Sequence, residues 1–297
     1  MKKITILLSS YNGERYIEEQ INSLLSQKGC SVDLLVRDDG STDSTMDILE
    51  AYQQRGLLRW YTGPNLGPAA SFMNLIASAP ESEYYALCDQ DDYWMEDKLS
   101  SAVSMLENAG RAALYFSQTT LADCKLNPIR TMKINPSCTM GEALIAFYAT
   151  GCTFVFNNAL RRELLKYSPS YISMHDNWIY RVCLAVNGEL HFDPESHILY
   201  RQHSNNVIGL NMSWRKRLEL RFSSAMNGKR ERSRTAAELL EGYGERMSVQ
   251  NRELVKLAAR CHSSFTDRVK LVMKRELRCA SWKCNITSRL AILMGVY

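Results

Sequence analysis

The chain has 297 residues, of which 45% are hydrophobic and 23% are charged, a composition that supports a full hydrophobic core and excludes an intrinsically disordered chain. The apolar run after Met1 is too short for a signal-peptide core or a membrane span, so we expect a cytoplasmic protein. Nine cysteines without a C-x-x-C pair indicate neither a disulfide framework nor a zinc site.

The charge is distributed unevenly along the chain. Residues 1–210 hold 17 Lys and Arg against 24 Asp and Glu (net −7), whereas residues 211–297 hold 19 against 8 (net +11). We therefore predict a domain over 1–210 and a basic C-terminal extension of two or three helices over 211–297. Its charge and apolar faces, as at 290–296, are typical either of solvated helices or of peripheral contact with an anionic membrane. No nucleic-acid-binding motif accompanies the charge.

Apolar runs that end in polar residues alternate with helical patterns along the first two thirds of the chain. In chain order, the patterns predict a strand over 3–12, a helix over 14–27, a strand over 32–36, a helix from 44, a strand over 58–61, a helix over 71–77, and strands over 84–92 and 112–121. Such alternation favours an α/β fold with a mostly parallel sheet covered by helices.

Polar clusters follow three of these strands, at 9–12, 38–43 and 89–92. In parallel sheets, ligands bind beyond the carboxyl ends of the strands. Asp89 and Asp91 are two residues apart, so in an extended segment both would point to one side and could share a divalent cation with a diphosphate. A solvated turn is the alternative interpretation of the same acids.

Seven segments together resemble a known family. In order, they are TILLSSYNGERYIEEQINSLLSQ, LLVRDDGSTDST, NLGPAASF, LCDQDDYW, GCTFVFN, HDNW and YRQHSNN. They are similar to family 2 glycosyltransferases of the GT-A fold, and within that family to bacterial rhamnosyltransferases of surface polysaccharide synthesis. The resemblance covers about residues 3–210. It implies a nucleotide-diphospho-sugar transferase fold, to which the helical C-terminal extension is added.

The resemblance also implies a role for individual residues on the donor side. It assigns the nucleotide-sugar site to Ser10, Tyr11, Asp38, Asp39, Asp89, Gln90, Gly151 and Arg201. Ser10 and Tyr11 would line the base site, and Asp38 would bond to the pyrimidine ring with Asp39 beside it. Asp91, Asp89 and His203 would hold Mn²⁺ or Mg²⁺, with Asp91 as the main ligand.

On the acceptor side, the resemblance implies that Asp176 is the general base, while His175, Asn177 and Trp178 shape the acceptor site. A general base must reach the attacking hydroxyl by a hydrogen bond. Asp176 also precedes an apolar helical pattern, so it is a candidate helix cap, and the two roles are compatible. A single displacement with this base would invert the anomeric configuration.

These observations predict a metal-dependent, inverting transfer of L-rhamnose from dTDP-L-rhamnose to a growing, lipid-linked glycan at the cell membrane. A UDP-hexose donor is the alternative within the same fold, and a noncatalytic binding subunit is a second alternative. The acids at 38, 89, 91 and 176 argue against the noncatalytic subunit, because such a chain would be free to lose them. A haloacid-dehalogenase-type phosphatase and a dinucleotide-binding dehydrogenase are disfavoured: the D-x-D stands after two strand units, and no G-x-G-x-x-G follows the first strand.

Overall fold

The computed structural model describes residues 1–202 and 231–297. Its strands are β1 (Lys2–Ser10), β2 (Cys30–Asp38), β3 (Arg59–Thr62), β4 (Tyr84–Cys88), β5 (Tyr93–Trp94), β6 (Ala113–Ala122), β7 (Pro128–Thr131), β8 (Val155–Asn157) and β9 (Glu189–Arg201). Its helices are α1 (Ile17–Leu25), α2 (Thr45–Gln54), α3 (Gly67–Ser78), α4 (Lys98–Leu106), α5 (Met140–Ile145), α6 (Asn158–Leu164), α7 (His175–Ala185), α8 (Glu231–Tyr243), α9 (Val249–Arg260), α10 (Phe265–Met273) and α11 (Trp282–Met294).

The strands form one sheet in the order β3-β2-β1-β4-β8-β6-β9-β5, with β7 paired to β6. Strands β1 to β4 are mutually parallel where they pair, as the sequence predicts. Beyond β4 the sheet is mixed, since β8 runs antiparallel to both β4 and β6, and β5 runs antiparallel to β9. The longest pairing in this half, β6 with β9, is parallel again, so the short antiparallel pairs are additions to a mostly parallel sheet. An apolar run indicates that a strand is buried, but it carries no information about the direction of the strand.

Alternate residues of β1 face two different hydrophobic clusters. Ile4, Ile6 and Leu8 pack on one side of the sheet with α1, α2 and α4, whereas Leu7 packs on the other side with α3 and α7. This follows from the two-residue period of a strand. Both faces of the sheet are therefore covered, and the polar strand ends are the part of β1 and β2 left for a site.

Helix α3 begins at Gly67, four residues before the predicted start. Pro68 lies in its first turn, where the missing N–H needs no intrahelical partner and the fixed φ of proline suits a helix. Pro68, which lies before the predicted start at 71, therefore belongs to the first turn of the helix. Gly67 itself has φ 74°, a left-handed conformation that glycine adopts without strain.

The C-terminal helices pack on the sheet domain. The described part of the extension already contains four helices rather than two or three, α8 to α11. Leu239, Tyr243, Val255 and Ala258 belong to the same hydrophobic cluster as Trp178 of α7. The predicted domain boundary at 210 lies outside the described residues and stays a prediction. Within 1–202 and 231–297, none of the helices is long and apolar enough to span a bilayer.

Candidate active site

The acidic segment after β4 is a bend. Strand β4 is buried throughout and ends at Cys88, and the chain turns over residues 89–92 before it enters β5. The expectation that Asp89 and Asp91 share one side rested on an extended segment, which the bend interrupts. The bend instead brings Asp89 together with Asp92 and Cys152, whose ligand atoms lie within 4.8 Å of one another. Among the described residues, Asp91 is not part of this cluster.

The cluster concentrates negative charge in a buried place. Burial and the neighbouring charge of Asp91 raise the pKa of Asp89 to about 7. The same two causes raise the pKa of Asp92 well above its ordinary value. One oxygen of Asp92 accepts from the backbone N–H of Arg201 at 3.1 Å, and the other, Oδ2, has no hydrogen-bond partner among the described residues. Carboxylates held together in this way are expected to bind a cation.

The donor set fits a hard divalent ion. Mg²⁺ and Mn²⁺ prefer carboxylate oxygens, whereas a thiolate such as that of Cys152 suits softer metals. The orphaned oxygen of Asp92 and the half-buried carboxylate of Asp89 are the available ligands in the cluster. Asp92 was not among the predicted metal ligands. The sequence signal for it was present in the D-D pair at 91–92, but alternation along an extended segment was considered only for Asp89 and Asp91.

A buried lysine lies near the acidic bend. Lys98, the first residue of α4, is fully buried, and its Nζ lies 3.5 Å from the centre of the Trp94 ring. Burial lowers the pKa of Lys98 to about 8, while the charges of Cys152, Cys88 and Asp92 act in the opposite direction. Its ammonium therefore offsets part of the acidic charge. In a sequence, a lysine at a helix start indicates a solvated residue, so Lys98 was not among the predicted site residues.

Arg201, which was predicted for the nucleotide-sugar site, lies beside the acidic bend. It is buried, and its guanidinium donates to the carbonyl of Asp91 at 2.7 Å, to the carbonyl of Cys124 at 2.6 Å and to the carboxylate of Glu19. It also lies over the ring of Tyr16, 4.5 Å from the centroid. Arg201 thus positions the acidic bend, and its contact with a donor stays a prediction. His203, predicted as a metal ligand, lies outside the described residues.

The end of β1 is joined to the end of β2. Ser10 donates to Oδ2 of Asp38 at 2.9 Å, and the Ser41 hydroxyl donates to the same oxygen at 2.6 Å. Oδ1 of Asp38 accepts from the backbone N–H groups of Gly40 and Ser41 at 3.1 and 2.7 Å. Asp38 is fully buried and shapes the turn before α2. Its contact with a nucleotide base stays a prediction.

Asp39 is buried and points to the start of α3. Its carboxylate accepts from the backbone N–H groups of Leu66 and Gly67 and from the guanidinium of Arg37. These bonds satisfy N–H groups that a helix start leaves without intrahelical partners. Asp39 therefore ties the end of β2 to α3, and its predicted place beside the base is not tested.

Gln90 connects the first strand end to the acidic bend. Its Oε1 accepts from the backbone N–H of Tyr11 at 2.8 Å, and its Nε2 donates to the Tyr11 carbonyl at 3.1 Å. The side chain of Tyr11 is exposed beside it. A Cβ at Gly13 would lie 2.3 Å from Oε1 of Gln90, so only glycine leaves room for this pairing. The polar ends of β1, β2 and β4 are thus held together as one surface.

Asp176 lies in the first turn of α7, next to the same surface. The helix cap is Met174, and the Asp176 carboxylate accepts from the backbone N–H of Asn177 at 2.6 Å. Burial raises the pKa of Asp176 to about 6. Its charge contributes to the raised pKa of Asp89, so two acids that are 87 positions apart in the sequence lie close enough to interact. Asp176 is therefore a first-turn residue rather than the cap.

Gly151 provides the space in which the start of α7 lies. A Cβ at this position would meet Nε2 of His175 at 2.8 Å and Cβ of Asp176 at 3.1 Å. His175 is buried and stacks on Phe72 with 4.0 Å between ring centroids, and burial lowers its pKa to about 3. The histidine is thus neutral. What Gly151 admits in the described structure is the side chains of His175 and Asp176, and its approach to a sugar stays a prediction.

The acceptor-side residues are placed differently from one another. Trp178 is fully buried, with its ring 6.1 Å from that of Tyr243, so the prediction that it shapes an acceptor surface is wrong. The tryptophan anchors α7 to the C-terminal helices. Asn177 lines a cavity of about 140 Å³ with Arg181, and its Oδ1 has no hydrogen-bond partner among the described residues.

The sequence profile of glycosyl transferase family 2 matches residues 5–168, which is more than half of the chain. The chain belongs to glycosyl transferase family 2. This match spans the strand ends around Ser10, Asp38 and Asp89 described above. The protein is accordingly a glycosyltransferase, as the resemblance implies.

Two relatives extend the similarity beyond the matched region. The family 2 protein is 29% identical over 228 residues to the dTDP-rhamnosyl transferase RfbG of Shigella flexneri, covering 72% of this chain and 78% of that one. It is also 29% identical over 226 residues to an uncharacterized protein of Mycobacterium tuberculosis, of which it spans 60%. The predicted similarity to rhamnosyltransferases is thus confirmed.

Two solved structures share the fold. The crystal structure of S. aureus TarS in complex with UDP-GlcNAc matches with a TM-score of 0.59 and 16% identity, over 99% of this chain and 91% of that chain. The mannosyltransferase PcManGT from Pyrobaculum calidifontis, in complex with GDP-Man and Mn²⁺, matches with a TM-score of 0.52 and 14% identity, over 99% and 85%. Both matches support the GT-A fold of the family 2 chain.

Proposed function

We propose that this family 2 glycosyltransferase transfers L-rhamnose from dTDP-L-rhamnose to a hydroxyl group of a growing cell-surface glycan, with inversion at the anomeric carbon. The observation that carries the proposal is the closeness of Asp176 to the Asp89–Asp92 cluster at the strand ends. A proton acceptor and a cation site on one surface are the two groups that this transfer requires. The similarity to the Shigella dTDP-rhamnosyl transferase supports the choice of donor.

On the donor side, Asp89 and Asp92 would hold Mg²⁺ or Mn²⁺, with Asp91 beside them. The ion would stabilise the negative charge that grows on the diphosphate as it leaves. Lys98 offsets part of the acidic charge below the bend, and Arg201 fixes the Asp91 carbonyl. Ser10, Tyr11, Asp38 and Asp39 are proposed for the nucleotide end, at the joined ends of β1 and β2.

On the acceptor side, Asp176 would take the proton of the attacking hydroxyl. A pKa of about 6 leaves the carboxylate ionised at neutral pH while keeping it more basic than an ordinary aspartate. The neighbouring His175 is neutral, so it does not form an ion pair with the Asp176 carboxylate. Attack on the face opposite the leaving diphosphate, with no carboxylate nucleophile, gives inversion. The proposed acceptor is a lipid-linked glycan at the inner face of the cell membrane.

A UDP-hexose donor is the second candidate. Its support is the fold shared with TarS, whose crystal structure contains UDP-GlcNAc. Fold similarity at 16% identity does not carry a donor from one protein to another, so this candidate ranks below the rhamnosyl donor.

The test is donor turnover with manganese present. dTDP-L-rhamnose, UDP-glucose and UDP-GlcNAc are each incubated with the full chain, and release of the nucleoside diphosphate is measured. We expect dTDP release above the UDP release, and loss of dTDP release in Asp89→Asn. Faster UDP release would select the second candidate. Nucleotide binding without turnover of any donor would contradict the catalytic proposal, and nuclear magnetic resonance of a transfer product would test inversion.

A further inference from the structure

Helix α11 carries an exposed apolar stripe. Trp282, Ile286, Leu290 and Met294 are 66%, 51%, 52% and 55% exposed, and each follows the one before it by four residues. Residues at this spacing lie along one side of an α-helix. Single exposed apolar residues are ordinary, but a row of four large ones along a whole helix is typical of a surface that has a partner.

The opposite side of α11 is already packed. Ile292 and Ser288 are buried, and the Ser288 and Cys284 side chains donate toward the carbonyl of Ile145 at the end of α5, at 3.5 and 3.8 Å. The helix is therefore anchored to the protein by one face. Its exposed stripe lies on the side of α11 that is turned away from this packing.

Helix α10 packs against α11 and fixes the orientation of the pair. Arg268 donates to the carbonyl of Leu293 at 3.3 Å, and Arg289 donates to the carbonyl of Val272 at 2.6 Å, so α10 and α11 run antiparallel. On α10, Phe265 and Met273 are exposed as well. The two helices thus present large apolar side chains on a rigid pair.

The surroundings of the stripe are basic. Residues 261–297 hold seven Lys and Arg against two Asp and Glu, and 277–297 contain no acidic residue. The exposed cations of this region are Lys270, Arg275, Arg278 and Lys283. An interfacial helix has this composition: apolar side chains and a tryptophan on one side, with lysine and arginine beside them.

We propose that the α10–α11 pair docks on an anionic lipid bilayer, with the stripe inserted at the level of the headgroups. Charge complementarity decides the occupant. Docking of a second copy through the same face would bring two basic surfaces together, which repel each other, whereas acidic phospholipids attract them. In this proposal, the positive charge of the C-terminal extension serves to attract the acidic phospholipids.

Docking through this face would also orient the active site. Helix α5, on which α11 packs, ends at Ile145, and the chain reaches Gly151, beside the side chain of Asp176, six residues later. The membrane contact and the proposed general base are therefore linked through α5 and the segment that leads to Gly151. This step rests on the proposed function, because it matters only if the acceptor is held by a lipid; the docking surface itself does not.

The test is cosedimentation of the full chain with vesicles. Vesicles of phosphatidylglycerol mixed with phosphatidylcholine are compared with vesicles of phosphatidylcholine alone, at low and at high salt. Ile286→Ser/Leu290→Ser removes the centre of the stripe, and Lys283→Glu reverses a neighbouring charge. The matched controls are Ile129→Ser, at an exposed apolar residue of β7, and Lys256→Glu, at an exposed lysine of α9. All of these side chains are exposed, so the variants are expected to fold, and circular dichroism checks this.

We expect binding to the anionic vesicles at low salt, its loss at high salt, and about tenfold or greater weakening in the stripe variant. Lys283→Glu weakens binding more than Lys256→Glu, and Ile129→Ser leaves it unchanged. Equal binding by the stripe variant, or no binding of the natural sequence at low salt, would overturn the proposal. A dimer in sedimentation velocity that the stripe variant loses would also overturn it, in favour of a second copy.

The vesicle assay contains no nucleotide and no turnover, so its failure is distinct from failure of the proposed function. The stripe variant is expected to hydrolyse soluble donor at the natural rate, since none of the changed residues lies in the active site. Loss of donor hydrolysis in that variant would mean that α11 supports the fold rather than a membrane contact.

Discussion

Replacement of Asp176 by asparagine is expected to remove activity and to raise stability at the same time. Asparagine keeps the size of the side chain but cannot accept the hydroxyl proton. General base catalysis typically contributes about 10²–10⁴-fold, so we expect kcat to fall by that order while nucleotide binding is retained. A residue that only supports the fold would lose stability when it is replaced.

The stability change follows from the raised pKa. A rise in the Asp176 pKa from its ordinary 3.8 to about 6 means that the ionised carboxylate disfavours the folded state above pH 6, by about 3 kcal/mol at most. Because the side chain is only partly buried, solvent screening reduces this to about 1–3 kcal/mol. The penalty disappears as the pH falls from 6 to below 4, since the folded state then takes up the proton more readily than the unfolded state.

The assay is urea unfolding of the natural sequence and of Asp176→Asn at pH 8 and pH 4, paired with donor turnover at pH 8. The variant is expected to be the more stable of the two at pH 8, and this advantage should vanish at pH 4. Asp47→Asn is the control, since Asp47 also lies in the first turn of a helix but is exposed. Full turnover by Asp176→Asn, or a loss of stability at pH 8, would refute the reasoning.

Three further predictions concern the same site. The value of kcat/KM should fall about tenfold per pH unit below pH 6, as Asp176 takes up a proton; a profile flat to pH 5 would contradict this. Gly151→Ala should lower the free energy of unfolding by about 1–3 kcal/mol and reduce turnover, because its Cβ would lie 2.8 Å from Nε2 of His175. The control in thermal unfolding is Gly110→Ala, since no atom lies within 4 Å of a Cβ at that position. Arg201→Lys should lower the free energy of unfolding by about 1–3 kcal/mol and weaken metal-dependent nucleotide binding. The reason is that an ammonium cannot donate to the Asp91 carbonyl, the Cys124 carbonyl and the Glu19 carboxylate together. Unchanged calorimetric binding would mean that Arg201 does not position the bend.

The sequence was sufficient for the parts of the fold that depend on local pattern. The apolar runs of β1, β2 and β4 and the polar residues that follow them predicted three strand ends, and the structure joins those ends through Ser10, Asp38 and Gln90. Local pattern cannot reveal whether a segment is extended or bent. For this reason Asp92 was not among the predicted metal ligands.

Long-range packing accounts for the other differences. Arg201 lies at the polar end of a strand, a position that favours the prediction of a ligand-binding residue. Its partners Glu19, Asp91 and Cys124 are distant in the sequence, so local pattern does not reveal them. Trp178 follows the proposed base by two residues and yet points into the core, because a helix turns about 200° over two residues. The exposed stripe of α11 is visible only once the other face is known to be packed.

The central claim, a cation-dependent donor site at the strand ends, is tested most directly by calorimetric binding of dTDP and UDP, each with and without manganese. The protein and its Asp89→Ala and Asp92→Ala variants are compared under the same conditions. The account predicts that dTDP binds with manganese, binds much more weakly without it, and loses the manganese-dependent part in both variants. Binding of neither nucleotide, or binding that ignores both the metal and the two substitutions, would contradict it.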